Sequence, residues 1–344
     1  MKASGLSRFG LFACCVAVAA CSQATQVSPF QYAPNASAVQ RLERSPAFSV
    51  LHSFKGFGDG YHPLAELIDV RGTLYGTTRL GGAHKLGTVF SITTNGEEKV
   101  LHSFGEGADG INPQAALINV KGTLYGTTAL GGDYGKGTVF SITTGGEEKP
   151  LHSFGDGTDG RDPVAGLLDV GGTLYGTTAL GGEHGKGTVF SITTDGTEYV
   201  LHSFGVGTDG RLPVAGLIDV SGTLYGTTAV GGAHGRGTVF SITTGGKEKV
   251  LHDFGDVGDG IVPFAGLLDV RGTLYGTTRD GGAHHNGTVF SIMPGGTETV
   301  LHSFSEETEG GFPRAGLIDV DGTLYGTTRQ GGAHYGGTVF SITP

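Results

Sequence analysis

No tryptophan occurs in this 344-residue chain, which has only two methionines and three cysteines. Cys14, Cys15 and Cys21 all precede the repeated part, so no disulfide can staple the remainder. Stability there must come from burial and hydrogen-bonded sheet. Charge is sparse as well: charged residues make up 16%, the net charge is −10, and the repeats hold no run of five like charges. Nucleic-acid binding calls for Lys and Arg clustered on one face, so no nucleic acid is expected as a partner. No stretch shows a convincing 3.6-residue apolar period, which leaves essentially no helix in the fold. The apolar run at residues 9–20 falls short of the ~20 residues that a membrane span needs.

Glycine is the abundant residue, with 66 copies beside 12 prolines. Such content borders on low-complexity sequence, but the glycines are periodic and lie between apolar runs, so they read as turn chemistry. The phrase Gly-Thr-Leu-Tyr-Gly-Thr-Thr starts at Gly72 and returns five times, placing Tyr at 75, 125, 175, 225, 275 and 325. A fifty-residue step without insertion or deletion means one supersecondary unit laid down repeatedly, each copy burying a face on the next.

Within one copy, residues 115–120 form an apolar run, Lys121-Gly122 a tight turn, and 123–128 a second strand rich in β-branched and aromatic residues. A Gly-rich loop over 129–136 leads to a third strand at 137–143, a turn at 144–147 and a fourth strand at 149–154. Both alternating faces are apolar, as Val139 and Phe140 show, which suits a sheet sandwiched between two others. Gly126, after Tyr125, would admit an adjacent backbone. The first repeat-like segment, residues 48–54, is a fourth strand with no unit before it, and 337–343 is a third strand with no fourth after it. The expected fold is therefore all-β: a six-bladed β-propeller over residues 47–344, four antiparallel strands per blade, closed by the N-terminal strand pairing in the last blade. Closure also removes exposed sheet edges.

Leu-Tyr-Gly-Thr-Thr-x-x-Gly-Gly, followed by Gly-Thr-Val-Phe-Ser-Ile and Leu-His-Ser-Phe, resembles the GloVer tandem repeat of bacterial choice-of-anchor proteins over residues 48–344. The resemblance implies export and attachment to the cell surface. It implies no activity and no catalytic residues. Kelch repeats share the length and the Gly-Gly pair, but the absence of tryptophan argues against them.

The leader fits export. Lys2 and Arg8 precede the apolar run, which ends Val18-Ala19-Ala20-Cys21 and resembles a bacterial lipobox. Residues 1–21 are thus expected to be a lipoprotein-type signal peptide with Cys21 lipidated, and acyl chains would anchor the protein in a membrane. Ser22 is not an acidic retention residue, which by analogy points to an exported, outer-membrane lipoprotein of the bacterial envelope. Residues 22–46, rich in Ser, Gln, Ala and Pro, form a flexible tether of about 27 Å mean reach.

Strand order puts the short turns on one side and both long connections on the other: the Gly-Gly-Ala-His loop within a blade and the Asp-Gly-x-x-Pro crossover between blades. Binding residues concentrate on loops of a rigid scaffold. The repeated residues there have structural explanations. Asp59, Asp109, Asp159, Asp209 and Asp259, with Glu309 in the sixth copy, precede Gly as in common turns and do not spell a calcium loop. His84, His184, His234, His284 and His334 recur in blades too far apart to share one zinc ion. His52, His102, His152, His202, His252 and His302 read as buried histidines bonded to a neighbour. No metal or cofactor is expected.

An asymmetric ligand requires the sixfold identity to be broken, so the divergent crossover positions are the candidate ligand site: Tyr61, His62, Asn112, Gln114, Arg161, Asp162, Arg211, Phe264, Phe312 and Arg314. Together they offer guanidinium, amide, carboxylate and aromatic groups. Neutral divergence of a solvated loop is the competing explanation. The expected function is a monomeric, envelope-tethered binding module for a glycan or an envelope protein. The alternatives are a structural or adhesive repeat, and a hydrolase or lyase acting on a polymer with Asp162 and His62 at its centre. No nucleophile motif supports the enzyme.

Overall fold

A computed structural model describes residues 49–305 and 307–344. The leader, the tether and Phe48 lie outside the described residues, among which no helix is long and apolar enough to cross a membrane.

The fifty-residue period becomes a series of antiparallel sheets. In the second unit the strands are Ile118–Val120, Thr123–Thr128, Thr138–Thr143 and Glu148–Ser153, hydrogen-bonded in that order. The same four-stranded sheet recurs in the first, third, fourth and fifth units. Two-residue turns join the first and second strands, with positive φ at both positions (Lys121 54°, Gly122 94°), as a primed hairpin turn requires. Asn119 Oδ1 accepts from the Gly122 amide at 2.9 Å and fixes the turn. The first strand is shorter than expected because residues 113–117 are given over to the crossover, where Ala115 serves the preceding unit.

Each fourth strand carries a β-bulge. Val89 pairs with His102 and Phe90 with Val100, which leaves Leu101 as the extra residue. The bulge lets Leu101 and Phe104 both reach apolar surroundings although the strand would otherwise alternate. Pro150 is tolerated in the second unit because the fourth strand is the sheet's edge.

The cores lie between units rather than within them. Tyr175, Val189 and Phe204 of the third unit pack with Leu217, Leu224, Phe240 and Ile242 of the fourth. Polar bonds stitch each junction. Thr177 Oγ1 donates to the Ala215 carbonyl at 3.1 Å, and the Leu212 amide to the Lys186 carbonyl at 2.9 Å. The glycine after each tyrosine meets an aromatic ring, not the neighbouring backbone expected from the sequence. A Cβ on Gly126 would stand 2.6 Å from Phe140 Cζ and 2.8 Å from Leu117 Cδ2, both in its own unit.

The two ends of the series differ from the expectation. In the sixth unit Ile318–Val320, Thr323–Gln330 and Val339–Ile342 form three strands, and Val339–Ile342 pairs only with Thr323–Gln330. Residues 50–54 form no strand; Val50 is 65% exposed and Val339 79% exposed. The expected pairing between them is not made. Residues 51–54 instead lie on the first unit, where Phe54 meets Phe90 edge-on at 5.1 Å, as Phe104 meets Phe140 one unit later.

Candidate functional site

Two sets of repeated polar residues resolve into one structural device. In every unit the strand histidine bonds the crossover carboxylate, from His102 Nε2 to Asp109 Oδ2 at 2.9 Å to His302 Nε2 and Glu309 Oε2 at 3.3 Å. Asp109 Oδ1 also accepts the Gly105 amide at 2.8 Å, so the carboxylate ties the crossover to the strand that feeds it. The loop histidines are more exposed, and His84, His184 and His234 stand beside outer carboxylates, His84 at 3.3 Å from Glu106.

The crossover forms a rim with a built backbone. The first residue after Asp-Gly pairs with the residue two after Gly-Thr-Thr: Tyr61 with Leu80, Arg161 with Leu180, Arg211 with Val230. The next residue has positive φ in every unit: His62 59°, Asn112 58°, Asp162 56°, Leu212 60°, Val262 60°, Phe312 58°. From the second unit on, its amide donates to the preceding unit's loop, as Asn112 does to Leu86 at 2.8 Å; in the first five units its carbonyl accepts from the residue after Gly-Thr-Thr. Both backbone groups are held, so the strained conformation persists even at β-branched Val262. Asn112 and Asp162 suit this left-handed geometry by themselves. Leu212, Val262 and Phe312 do not.

One row of crossover residues lies where first strands of successive units adjoin. Ala116, Gly166, Gly216, Gly266 and Gly316 succeed one another there; a Cβ on Gly216 would lie 3.6 Å from the Gly166 carbonyl oxygen. Glu66 takes this position in the first unit, with its side chain exposed.

Of the ten expected ligand residues, two pairs come together. The rings of Tyr61 and His62 meet at 4.5 Å, and the Arg314 guanidinium stands 5.4 Å from the Phe264 ring. Asn112, Gln114, Arg161, Asp162, Arg211 and Phe312 occupy the crossovers of their own units, and no hydrogen bond or ion pair joins their side chains among the described residues. Asn112 Oδ1 and Arg161 Nε are buried without a partner. Sequence reasoning missed Arg79, Arg279 and Arg329. Each follows Gly-Thr-Thr, where the second, third and fourth units carry Ala129, Ala179 and Ala229. Arg279 donates to Asp280 Oδ2 at 2.7 Å through Nε and lies 5.3 Å from the Phe264 ring, so two guanidiniums share one aromatic face or edge. Arg79 Nε is buried and unpartnered. The symmetry-breaking criterion finds all three when it is applied from the first residue of the loop that follows Gly-Thr-Thr.

Among solved structures the chain resembles a streptogramin B lyase (TM-score 0.52, 14% identity, 83% of this chain and 84% of that one). It also resembles the BP39L lectin of Burkholderia pseudomallei (TM-score 0.52, 10% identity, 79% and 77%). PorZ, a surface component of the type-IX secretion system of Porphyromonas gingivalis, matches at TM-score 0.53 and 14% identity over 85% of this chain but only 42% of that one. These likenesses are of fold, a β-propeller-like array of repeated sheets. No curated protein matches the chain by sequence. The Gloeobacter/Verrucomicrobia repeat matches residues 25–230 and 206–344, and the chain belongs to that repeat family.

Proposed function

We propose that this protein is a ligand-binding module, a closed six-bladed propeller held at the bacterial envelope by a lipid on Cys21 and the tether of residues 22–46. The observation that carries the binding role is where the repeats diverge. Identity is kept in the His–carboxylate pairs and the junction bonds; it is broken in the short turns, as at Arg71, Lys121 and Asp321, and, with guanidinium and aromatic groups side by side, on the crossover rim. There Arg79, Arg279 and Arg329 replace the alanines of the middle units, and Arg161, Arg211, Arg314, Phe264 and Tyr61 stand at the crossovers. A glycan or an envelope protein suits such a mixture of guanidinium, aromatic and amide groups. The lectin and the secretion-system surface component among the similar folds are consistent with that class.

Closure is supported by complementary halves. Leu67, on the free face of the first unit, is 49% exposed, whereas its equivalents Leu117 and Leu317 are 1% and 6% exposed. Ile318 and Val339, on the free face of the last unit, are 60% and 79% exposed. A groove of about 340 Å³ lined by His302, Phe304, Val339 and Phe340 lies where a fourth strand belongs. Five junctions carry the Thr77-to-Ala115 type of bond; by the repeat, the donor and acceptor left over are Thr327 and Ala65. The amide of His62 and the carbonyl of Gly336 are the leftover pair of the second bond type. Joining these halves sets the fifth, sixth and first units side by side, and with them Arg279, Arg329 and Arg79. The closed protein is a monomer.

Replacing Arg161, Arg211 and Arg314 together by Ala should abolish glycan or envelope-protein binding in an array or pull-down while leaving thermal unfolding within a few degrees of the parent. Each side chain is at least partly exposed, and such surface changes cost about 0.5 kcal/mol or less. Unchanged binding by the triple variant would remove the rim as the site.

A further inference from the structure

A glutamate that opens the fourth strand comes up beside a His–Asp pair from earlier in the chain: at four junctions it is the pair of the unit before, and in the first unit it is His52 with Asp59. Glu98 lies near His52 and Asp59, Glu148 near Asp109, Glu198 near His152 and Asp159, Glu248 near Asp209, and Glu298 near His252 and Asp259. In all five, Oε1 is withdrawn from solvent and meets no hydrogen-bond donor. A buried carboxylate oxygen without a partner is costly, and either a proton or a cation must answer it.

The junction between the fourth and fifth units is distinct. One nitrogen of His252 and one oxygen each of Asp259 and Glu298 lie within 4.8 Å of one another. His252 Nε2 is 3.0 Å from Asp259 Oδ2. The amides of Gly255 and Gly260 hold Asp259 at 3.0 and 2.6 Å, an outer set of bonds that orients a ligating carboxylate. Asp253 stands beside His252 where the other units carry serine, and its Oδ1 is also buried and unpartnered. Arg279 is engaged by Asp280, and among the described residues no Lys or Arg side chain pairs with Asp253, Asp259 or Glu298.

We propose that this junction binds a divalent transition-metal cation of the manganese type through His252, Asp259 and Glu298. Imidazole with two carboxylates, no thiolate, and a partly exposed histidine edge that leaves room for water is a donor set suited to such an ion. Octahedral donors at bonds of about 2.1 Å stand roughly 3–4.2 Å apart, so a small side-chain movement closes the triad. The ion would neutralise two carboxylates, partner Glu298 Oε1, and rivet the crossover of one unit to the outer strand of the next. The proposal does not depend on the rim or on ring closure.

Titrating the full chain with Mn²⁺ at neutral pH, and following loss of the free ion's EPR signal, tests it. Mn²⁺ is the probe because the thiols of Cys14, Cys15 and Cys21 compete poorly for it. One equivalent should bind saturably, weakened more than about 10-fold in Glu298→Gln and in His252→Gln. Glu148→Gln, the same change at another junction, should leave that binding as it is. Glu298→Gln keeps the side chain's size and removes a half-buried charge, so circular dichroism in chelator should match the parent. Absence of saturable binding, undiminished binding in Glu298→Gln, or equal loss in Glu148→Gln would overturn the site.

Discussion

Phe204→Ala is expected to lower stability by about 3–5 kcal/mol, the range for truncating a buried aromatic side chain without collapse of the cavity. Phe204 is 0% exposed and lies at the centre of the junction between the third and fourth units. Its ring meets Phe240 edge-on at 5.1 Å and His202 at 4.6 Å. Tyr175, Val189, Leu217 and Leu224 complete the surround, and because Tyr175, Val189 and Leu224 belong to two sheets locked by strand pairing they cannot move in to fill the void. The loss falls on a contact between units, so it should weaken the coupling that makes the array unfold together. Urea unfolding followed by far-UV circular dichroism measures it. Val206→Ala, two residues on and 58% exposed, should change the midpoint hardly at all. A loss under about 1 kcal/mol for Phe204→Ala would mean that the junctions are not the true cores.

Replacing Glu148, Glu198 and Glu248 together by Gln should stabilise the protein at pH 8 and flatten its pH dependence. Burial first, and then the charges of Asp109, Asp159 and Asp209, push these three carboxyls up to about 7, with His152 opposing in the case of Glu198. In the unfolded chain they titrate near 4.5. Below that pH both states hold the protons and the groups cost nothing. Between about 4.5 and 7 the unfolded chain loses protons that the folded one keeps, so stability falls as pH rises through that window. Above it the full penalty remains. The side chains are half-buried, and solvent screening reduces each contribution to about 1–2 kcal/mol. The three sites lie at separate junctions and should add. Denaturation midpoints at pH 4.5, 6 and 8 should therefore fall steeply for the parent and much less for the triple variant. Parallel pH profiles would show that these carboxylates remain solvated.

These glutamates mark where sequence reasoning stops. Glu148 sits at the first position of an edge strand, which reads as a solvated site; its burial comes from a crossover some forty residues earlier in another unit. The same holds for the pairing of His102 with Asp109, where each residue alone suggested only a bonded histidine and a turn aspartate. Periodicity made the sheets legible because every junction repeats the same apolar pattern, as in Leu124, Phe140 and Ile142 against Tyr75, Val89 and Phe104. The bulge at Leu101 was hidden, since a run of Val-Leu-His-Ser-Phe does not say which residue drops out of register. Gly126 was misread for a related reason: strand pairing sets Gly126 opposite Phe140, and the ring folds over the missing side chain. Arg79, Arg279 and Arg329 are hard to single out because they directly follow the most invariant phrase in the chain, where Ala129, Ala179 and Ala229 stand in the middle units.

Ring closure by the N-terminal strand is the claim on which the rim depends, and a single cross-link tests it. The repeat pairs Thr88 with Ser103, so closure pairs Thr338 with Ser53. A Ser53→Cys, Thr338→Cys double variant should form a disulfide within one chain on mild oxidation, absent from either single variant and reversed by reductant. A double variant that stays reduced, or that links only between molecules, would contradict the closed ring.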